Sequence, residues 1–216
     1  MHVQQTLLRL DQSSPLVAAD SADIRQMHTR VMTMFGGDYQ RPTEGPRDLW
    51  TLSAPGRLIV QHPVAIDVRV LPPGYADDVT SRRAQLVWDI GAKVRWAMVA
   101  NPTVCKEDRR AAAASWVGQF DVSATRPRTC IKPVKGDAGI REWVARHLAG
   151  LHVDSLTVGR RSNEHGTKGA TRVTIFKARV AGVGTVTDPA AWARVLACGV
   201  GRGKAYGCGL VVCEAA

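Results

Sequence analysis

Three stretches of this chain carry residue types at spacings that could do chemistry. The first is Arg25-Gln26-Met27-His28. An imidazole with an unperturbed pKa near ~6.5 exchanges protons at neutral pH, which makes His28 a candidate general acid or base. It lies four residues after Ile24, on an apolar stripe with Met27, Val31, Met34 and Phe35. Position alone favours a packed core histidine; the same position serves catalysis if the stripe borders a groove.

The second is the run Gly199-Val200-Gly201-Arg202-Gly203-Lys204-Ala205-Tyr206-Gly207-Cys208-Gly209. Glycine tolerates positive φ and lets backbone amides approach a ligand, and Arg202 and Lys204 place cations there. A dinucleotide fingerprint must follow a strand and open a helix, and a P-loop needs Ser or Thr after its Lys. This run instead follows a helical pattern (188–198), precedes an apolar strand (210–213) and has Ala205 after Lys204. A free nucleotide is therefore a poor fit. Gly199 reads as a helix C-cap, and Gly207 and Gly209 as close-packing positions. That leaves Gly201, Arg202, Gly203 and Lys204 as the part expected to face phosphate.

The third stretch, 159–168, is a polar excursion between two strand patterns. It gathers Arg160, Arg161, Lys168 and Arg172, with Lys177 and Arg179 below. A solvated hairpin is the plain alternative, but Arg pairs bidentately with phosphate or guanine edges, and nucleic-acid binding is the better reading. No aromatic base-stacking pattern accompanies it, which points to a structured RNA. No metal site and no cofactor are expected, because the sequence offers no H-E-x-x-H, D-x-D or Cys/His cluster. Asp77-Asp78 reads as a solvated helix start. His147 reads as a packed residue, and His2, His62, His152 and His165 as terminal, loop or surface positions.

These residues must be positioned by a chain of 216 residues, 45% apolar, which suffices for two compact units. Residues 1–124 hold 14 Lys/Arg and 13 Asp/Glu, whereas residues 125–216 hold 15 and 6. A net charge of +10 concentrated in one half implies a polyanionic partner for that half. Five cysteines, an odd number without C-x-x-C, exclude a complete disulfide framework and fit a reducing cytoplasmic setting. No apolar run reaches the ~18 residues of a membrane span, and the first residues lack a signal-peptide pattern. No membrane partner is expected.

The second half parses as βαββαβ. Lys93 to Ala100 is a strand stopped by Asn101-Pro102. Ile140, Trp143, Val144 and Leu148 share a helix face ended by Gly150. Leu151 to Val158 and Arg172 to Val180 are paired strands. Asp188 caps a helix with Pro189 at its first position and an apolar stripe of Trp192, Val195 and Leu196. The first half reads as a degraded copy. Val3 to Leu10 is a strand, and a helix capped by Asp20 or Ser21 follows it. A hairpin turns about Ala54-Pro55-Gly56, and Gln85 to Ile90 is a candidate fourth strand. The expected fold class is α+β, two tandem ferredoxin-like (RRM-like) βαββαβ domains, spanning 1–91 and 92–216. Residues 103–128, with Ala111 to Ala114, read as an insertion with a short helix.

Taken in order, these residues resemble a known family. The tail Gly199–Leu210 is similar to the C-terminal glycine-rich signature of the CRISPR repeat-processing endoribonucleases of type I-E systems, the CasE subunit of Cascade. Arg25-Gln26-Met27-His28 before Phe35, Val99-Ala100-Asn101-Pro102, and Cys130–Val134 before the Ile140–Leu148 helix fit the same family. The resemblance implies a metal-independent cut in CRISPR repeat RNA at the 3′ base of its stem-loop, by attack of the upstream 2′-OH. It further implies that the protein stays on its product beside other Cascade subunits. His28 matches the catalytic histidine, and the hairpin with Arg160, Arg161 and Lys168 matches the element entering the stem's groove. Arg25 stands where members often carry a tyrosine, and could stabilise the charge of the phosphorane. The competing class is a non-catalytic RNA-binding scaffold of the same fold, since fold does not fix function. An acyl-CoA or nucleotide enzyme ranks last.

Overall fold

The computed structural model describes residues 3–40, 44–107 and 129–216. Their first part builds an antiparallel sheet from β1 (Gln4–Leu10), β2 (Leu49–Ala54), β3 (Arg57–His62) and β4 (Ala76–Arg83), in the spatial order β2-β3-β1-β4. Two helices, α1 (Pro15–Ala22) and α2 (Ile24–Thr33), connect β1 to β2. Leu8 and Leu10 of β1 point into a core with Met27 and Val31 of α2, Met34 at its C-cap and Trp50 of β2. The hairpin turn falls at Pro55-Gly56, as its sequence predicts, with Gly56 at φ 68°.

The second part runs β5 (Lys93–Ala100), a small hairpin β6 (Thr103–Glu107) and β7 (Thr129–Pro133), then α3 (Gly136–His147). It continues through β8 (Leu151–Lys168), β9 (Thr171–Val186), α4 (Pro189–Cys198) and β10 (Val211–Ala215). Its four-stranded sheet has the order β10-β5-β9-β8. In each sheet the third strand lies between the first and second while the fourth flanks the first, and every pairing is antiparallel. The chain is thus α+β with two tandem ferredoxin-like units. Trp143, Trp192, Ile140 and Leu196 fill the second core. Of the insertion expected over 103–128, residues 108–128, with the helix expected at Ala111–Ala114, lie outside the described residues.

Several local expectations are corrected. The cap of α2 is Asp23, whose carboxylate accepts from the Arg25 and Gln26 N–H groups at 2.7 and 3.2 Å, a device worth about 1 kcal/mol. Asp20 instead lies inside the extra helix α1, 4% exposed. There it accepts from Arg30 Nε at 2.8 Å and the Tyr75 hydroxyl at 2.7 Å. Asp77 and Asp78 sit on β4, an edge strand exposed on both faces, not at a helix start. Residues 85–90 pair with no strand; Leu86 and Trp88 are buried in the second core while Val87 and Ile90 face solvent. A 3₁₀ turn at Val68–Val70 stands where the repeat's second helix would be.

The seam between the sheets is bridged by polar side chains. Gln61 of β3, with no exposed surface, donates its side-chain amide to the Leu196 carbonyl at 2.8 Å and accepts from Gln5 at 3.1 Å. The Arg47 N–H donates to Ala197 O at 3.1 Å. Both bonds occupy carbonyls of the last turn of α4, which a helix leaves without partners. From the other side, the Arg179 guanidinium of β9 donates to Leu52 O at 2.9 Å and to Ser53 O. His62, expected on a loop or the surface, is buried here. Its Nδ1 meets Val64 O at 2.6 Å, which requires the Nδ1–H tautomer, and its Nε2 meets Thr6 Oγ1 at 2.9 Å. Among the described residues no helix is long and apolar enough to cross a membrane.

Candidate active site

The stretch expected to be a polar connection is strand. β8 and β9 stay paired from Leu151↔Val186 to Lys168↔Thr171, with bulges after Val153 and Val158, so the second sheet extends as a long two-stranded arm. Alternation along β8 aims successive side chains at opposite sides. At the far end Gly166 lies against the first turn of α2: a Cβ there would stand 2.8 Å from Asp23 Oδ1, 2.9 Å from Ile24 Cγ1 and 3.0 Å from Arg25 Cγ. The Thr167 N–H donates to the other oxygen of the same Asp23 carboxylate at 3.1 Å. Burial pushes that carboxyl's pKa up, but the backbone N–H groups of Arg25, Gln26 and Thr167, together with the Thr167 side chain, outweigh it and hold the group below the ordinary carboxylate value. One ionised aspartate therefore caps the helix and ties the arm to it.

The glycine run reaches α2 from the other side. Its glycines at 199, 201, 203, 207 and 209 all have positive φ, and each packs against a different neighbour. A Cβ would lie 2.8 Å from Trp143 at Gly201, 2.7 Å from Trp50 at Gly207 and 2.2 Å from Val200 O at Gly209. Gly203 and Gly207, both in the left-handed region, bracket a 3₁₀ turn at Lys204–Tyr206. That turn brings the Tyr206 ring into T-shaped contact with His28, with centroids 6.4 Å apart and an interplanar angle of 65°. Both rings are half-buried, so His28 keeps part of its surface exposed. Burial, then the nearby Arg47, hold Lys204 below the ordinary lysine value of 10.5, against an opposite pull from Cys198.

The arrangement is a histidine on a capped helix, clasped between an arm and a folded glycine loop, with cations on both. Across residues 1–214 the chain matches the family model described as CRISPR associated protein. The chain belongs to the CRISPR-associated protein family. Solved structures share the fold of this CRISPR-associated protein over nearly its whole length. Thermus thermophilus Cse3, bound to an RNA representing a pre-cleavage complex, superposes with a TM-score of 0.78 at 22% identity, covering 99% of this chain and 100% of that one. The CRISPR-associated protein Cas6e from Escherichia coli K-12 gives 0.68 at 18% identity, covering 100% of each chain. A chain of a CRISPR RNA-guided surveillance complex gives 0.67 at 20%, covering 99% of this chain and 100% of that one. No curated protein sequence matches the chain.

The cations expected on the arm of this CRISPR-associated protein do not form one cluster. Arg160 is exposed and lines a cleft of about 660 Å³ between the arm and the 53–56 turn. Arg161 points the other way and pairs with Asp137 of α3 at 2.6 Å. Arg172 is exposed near the tip; the Lys168 side chain lies outside the described residues. Lys177, expected beside them, lines the same cleft as Arg160 but lies at its floor. It is 6% exposed, pairs with Glu164 Oε2 at 2.6 Å and stands 5.8 Å over the Trp50 ring, so burial together with the pair holds its ammonium inside the protein. Gly201 and Gly203 are likewise packed against Trp143 and Asn101, which gives them a structural reason independent of any ligand. Arg202 is exposed. Arg25 lines a separate cleft of about 310 Å³ with Thr29, Arg30 and Thr167.

Sequence reading missed Asp23, Gly166, Thr167, Arg47 and Tyr206. Only Tyr206 left a signal: a lone aromatic ring between positive-φ glycines needs a partner surface. His147, expected to be packed, stacks its exposed ring on Trp143 at 3.9 Å, with Nδ1 bonded to Trp143 O at 2.7 Å. Among the described residues, Cys105, Cys198, Cys208 and Cys213 are free thiols. No group of three or more His, Cys, Asp or Glu side chains there could hold a metal ion.

Proposed function

We propose that this protein is a metal-independent endoribonuclease that binds the stem-loop of CRISPR repeat RNA and cuts the precursor at the 3′ base of the stem. It then stays on the product as a subunit of a Cascade surveillance complex. Residues 1–91 form the unit carrying the reacting histidine, and residues 92–216 the unit carrying the arm and glycine loop. The observation that carries the reading is the placement of His28, half-buried where α2, the arm tip and the glycine loop converge. Membership of the CRISPR-associated family and the fold shared with Cse3 and Cas6e support it.

In the reaction, the 2′-OH upstream of the scissile phosphate attacks phosphorus. The O2′–P bond forms as the P–O5′ bond breaks, the 2′ proton leaves and a proton reaches the 5′ oxygen. The products are a 2′,3′-cyclic phosphate and a 5′-OH, and no water is consumed. RNA supplies the nucleophile, so the protein's task is proton transfer and alignment, worth about 10²–10⁴-fold for one positioned acid or base. His28 holds that role, and Arg25, three residues earlier on the helix, stabilises the phosphorane's charge. Arg160, Arg161, Lys168, Arg172, Arg202 and Lys204 contact phosphates.

The test is single-turnover cleavage of an end-labelled repeat stem-loop in EDTA. Wild type should cut and H28A should bind with nearly unchanged affinity but not cut. Full cleavage by H28A sinks the assignment; strong inhibition by EDTA sinks its metal independence. Binding by the wild type without any cleavage identifies a scaffold.

A further inference from the structure

We propose that Tyr206 is the positioning residue for His28, its T-shaped ring contact fixing the plane of the imidazole that moves the proton. The proposal rests on the function proposed above. His28 projects from α2 at a half-buried site, and an imidazole left to itself rotates about two side-chain bonds. The T-shaped contact at 6.4 Å and 65° gives it a wall. Aromatic pairs favour this edge-to-face geometry because the positive ring edge meets the negative face of its partner.

The wall is rigid because the fold specifies it from both ends. Gly203, at φ 75° and ψ 17°, and Gly207, at φ 77° and ψ 25°, open and close the turn that carries the tyrosine. The Tyr206 and Cys208 N–H groups both donate to Gly203 O, at 2.8 and 3.3 Å, and the Gly207 N–H donates to Lys204 O at 3.3 Å. Gly207 abuts the Trp50 ring and Gly203 abuts Asn101, so the turn cannot slide along the seam without a clash. A ring so held, on an element that belongs to the other unit from α2, orients a side chain better than a neighbour on the same helix can. Orientation matters in proportion: a misplacement of about 1 Å in a reacting group can cost about 100-fold in rate.

The experiment uses the full chain with Y206L, which keeps apolar bulk without a ring, and Y206F, which keeps the ring without the hydroxyl. In wild type, the His28 ring protons should show the displacement that a neighbouring aromatic ring imposes in NMR spectra. Y206L should remove that displacement, shift the acid limb of the pH–rate profile and slow single-turnover cleavage by about 10- to 100-fold, at unchanged affinity for the stem-loop. Y206F should restore all three. The proposal is overturned if wild-type His28 shows no such displacement, or if Y206L cleaves at the wild-type rate. It is also overturned if Y206F is as slow as Y206L, which would assign the hydroxyl to the chemistry instead. The NMR arm needs no RNA and no folding of a variant. Failure of the functional reading shows separately, as full activity of H28A.

Discussion

The backbone N–H of Thr167 and the carboxylate of Asp23 meet at 3.1 Å, so the tip of one sheet's arm is fastened to the cap of the helix that carries His28. The fastening depends on Gly166, beside which there is no room for a methyl group. G166A should lift the tip from α2 and reduce single-turnover cleavage by at least tenfold, while the melting temperature falls little. G159A, on the same strand, places its methyl 3.5 Å from Arg179 O, an ordinary contact, and should leave both unchanged. Equal behaviour of the two variants in cleavage and thermal melts would refute the fastening role.

Salt dependence separates the arm's cations. Each phosphate contact contributes about 0.9 to the slope of log affinity against log salt for a duplex-like target. R160A should lower that slope by about that amount, because Arg160 faces an open cleft. K177M should leave it unchanged, because the Lys177 charge is already matched by Glu164. E164A, in contrast, strands a buried ammonium. It should cost up to about 3 kcal/mol of stability, the low end for a buried pair since Glu164 is itself partly exposed. Slopes from filter binding and midpoints from denaturant unfolding decide both points.

On the proposed function, Lys204 should make RNA affinity sensitive to alkaline pH. Burial and Arg47 disfavour its charged form, so it sheds its proton below the ordinary lysine value. A phosphate beside it favours the charged form, and affinity should fall as pH rises through the depressed pKa. K204R, whose guanidinium stays protonated, should abolish that fall and keep the neutral-pH affinity. Titrations of a non-cleavable 2′-deoxy stem-loop between roughly pH 7 and pH 10 test it. An identical decline in K204R would show that another group is responsible.

Acid stability should track His62. Burial depresses its pKa below 6.5, against the opposing bond to Val64. The unfolded chain therefore takes up the proton first as pH falls. The stabilisation is complete above about pH 6.5 and is lost through the window below it, at up to about 1.4 kcal/mol per pH unit. Denaturant midpoints at about pH 7.5 and about pH 5.5 should diverge in wild type and converge in H62Q. Parallel losses in both proteins would contradict this.

The elements that the sequence made legible are those with a one-sided pattern or a cap. The 93–100 strand, the Asp188-Pro189 helix start and the Trp143 face of α3 stand where alternation, capping and helical period put them. β4 was not legible because an edge strand exposed on both faces has no alternation to read. The segment 85–90 does alternate, but its buried residues pack under the second sheet without pairing, and a period of two reports burial, not hydrogen bonding. The arm read as a loop because its residues are polar on both sides, one facing a wet cleft and the other solvent. For the site, His28 and the glycine run were visible as types. Their meeting was not, because a contact between distant residues leaves no local periodicity. The glycines looked like ligand-facing positions; the neighbours packed on them show that much of the signature encodes how the loop folds.

The histidine and its tyrosine wall sit in different halves, the tyrosine contributed by the segment just before β10. Contacts so far apart in the chain close a long loop and tend to form late, and a nascent polypeptide folds from its N-terminal end as it is made. The arm and its outward arginines are synthesised before the glycine loop emerges. On the proposed function, a ribosome-bound or half-folded chain can grip RNA before it can cut it. Cleavage then certifies that both halves have finished folding and docked.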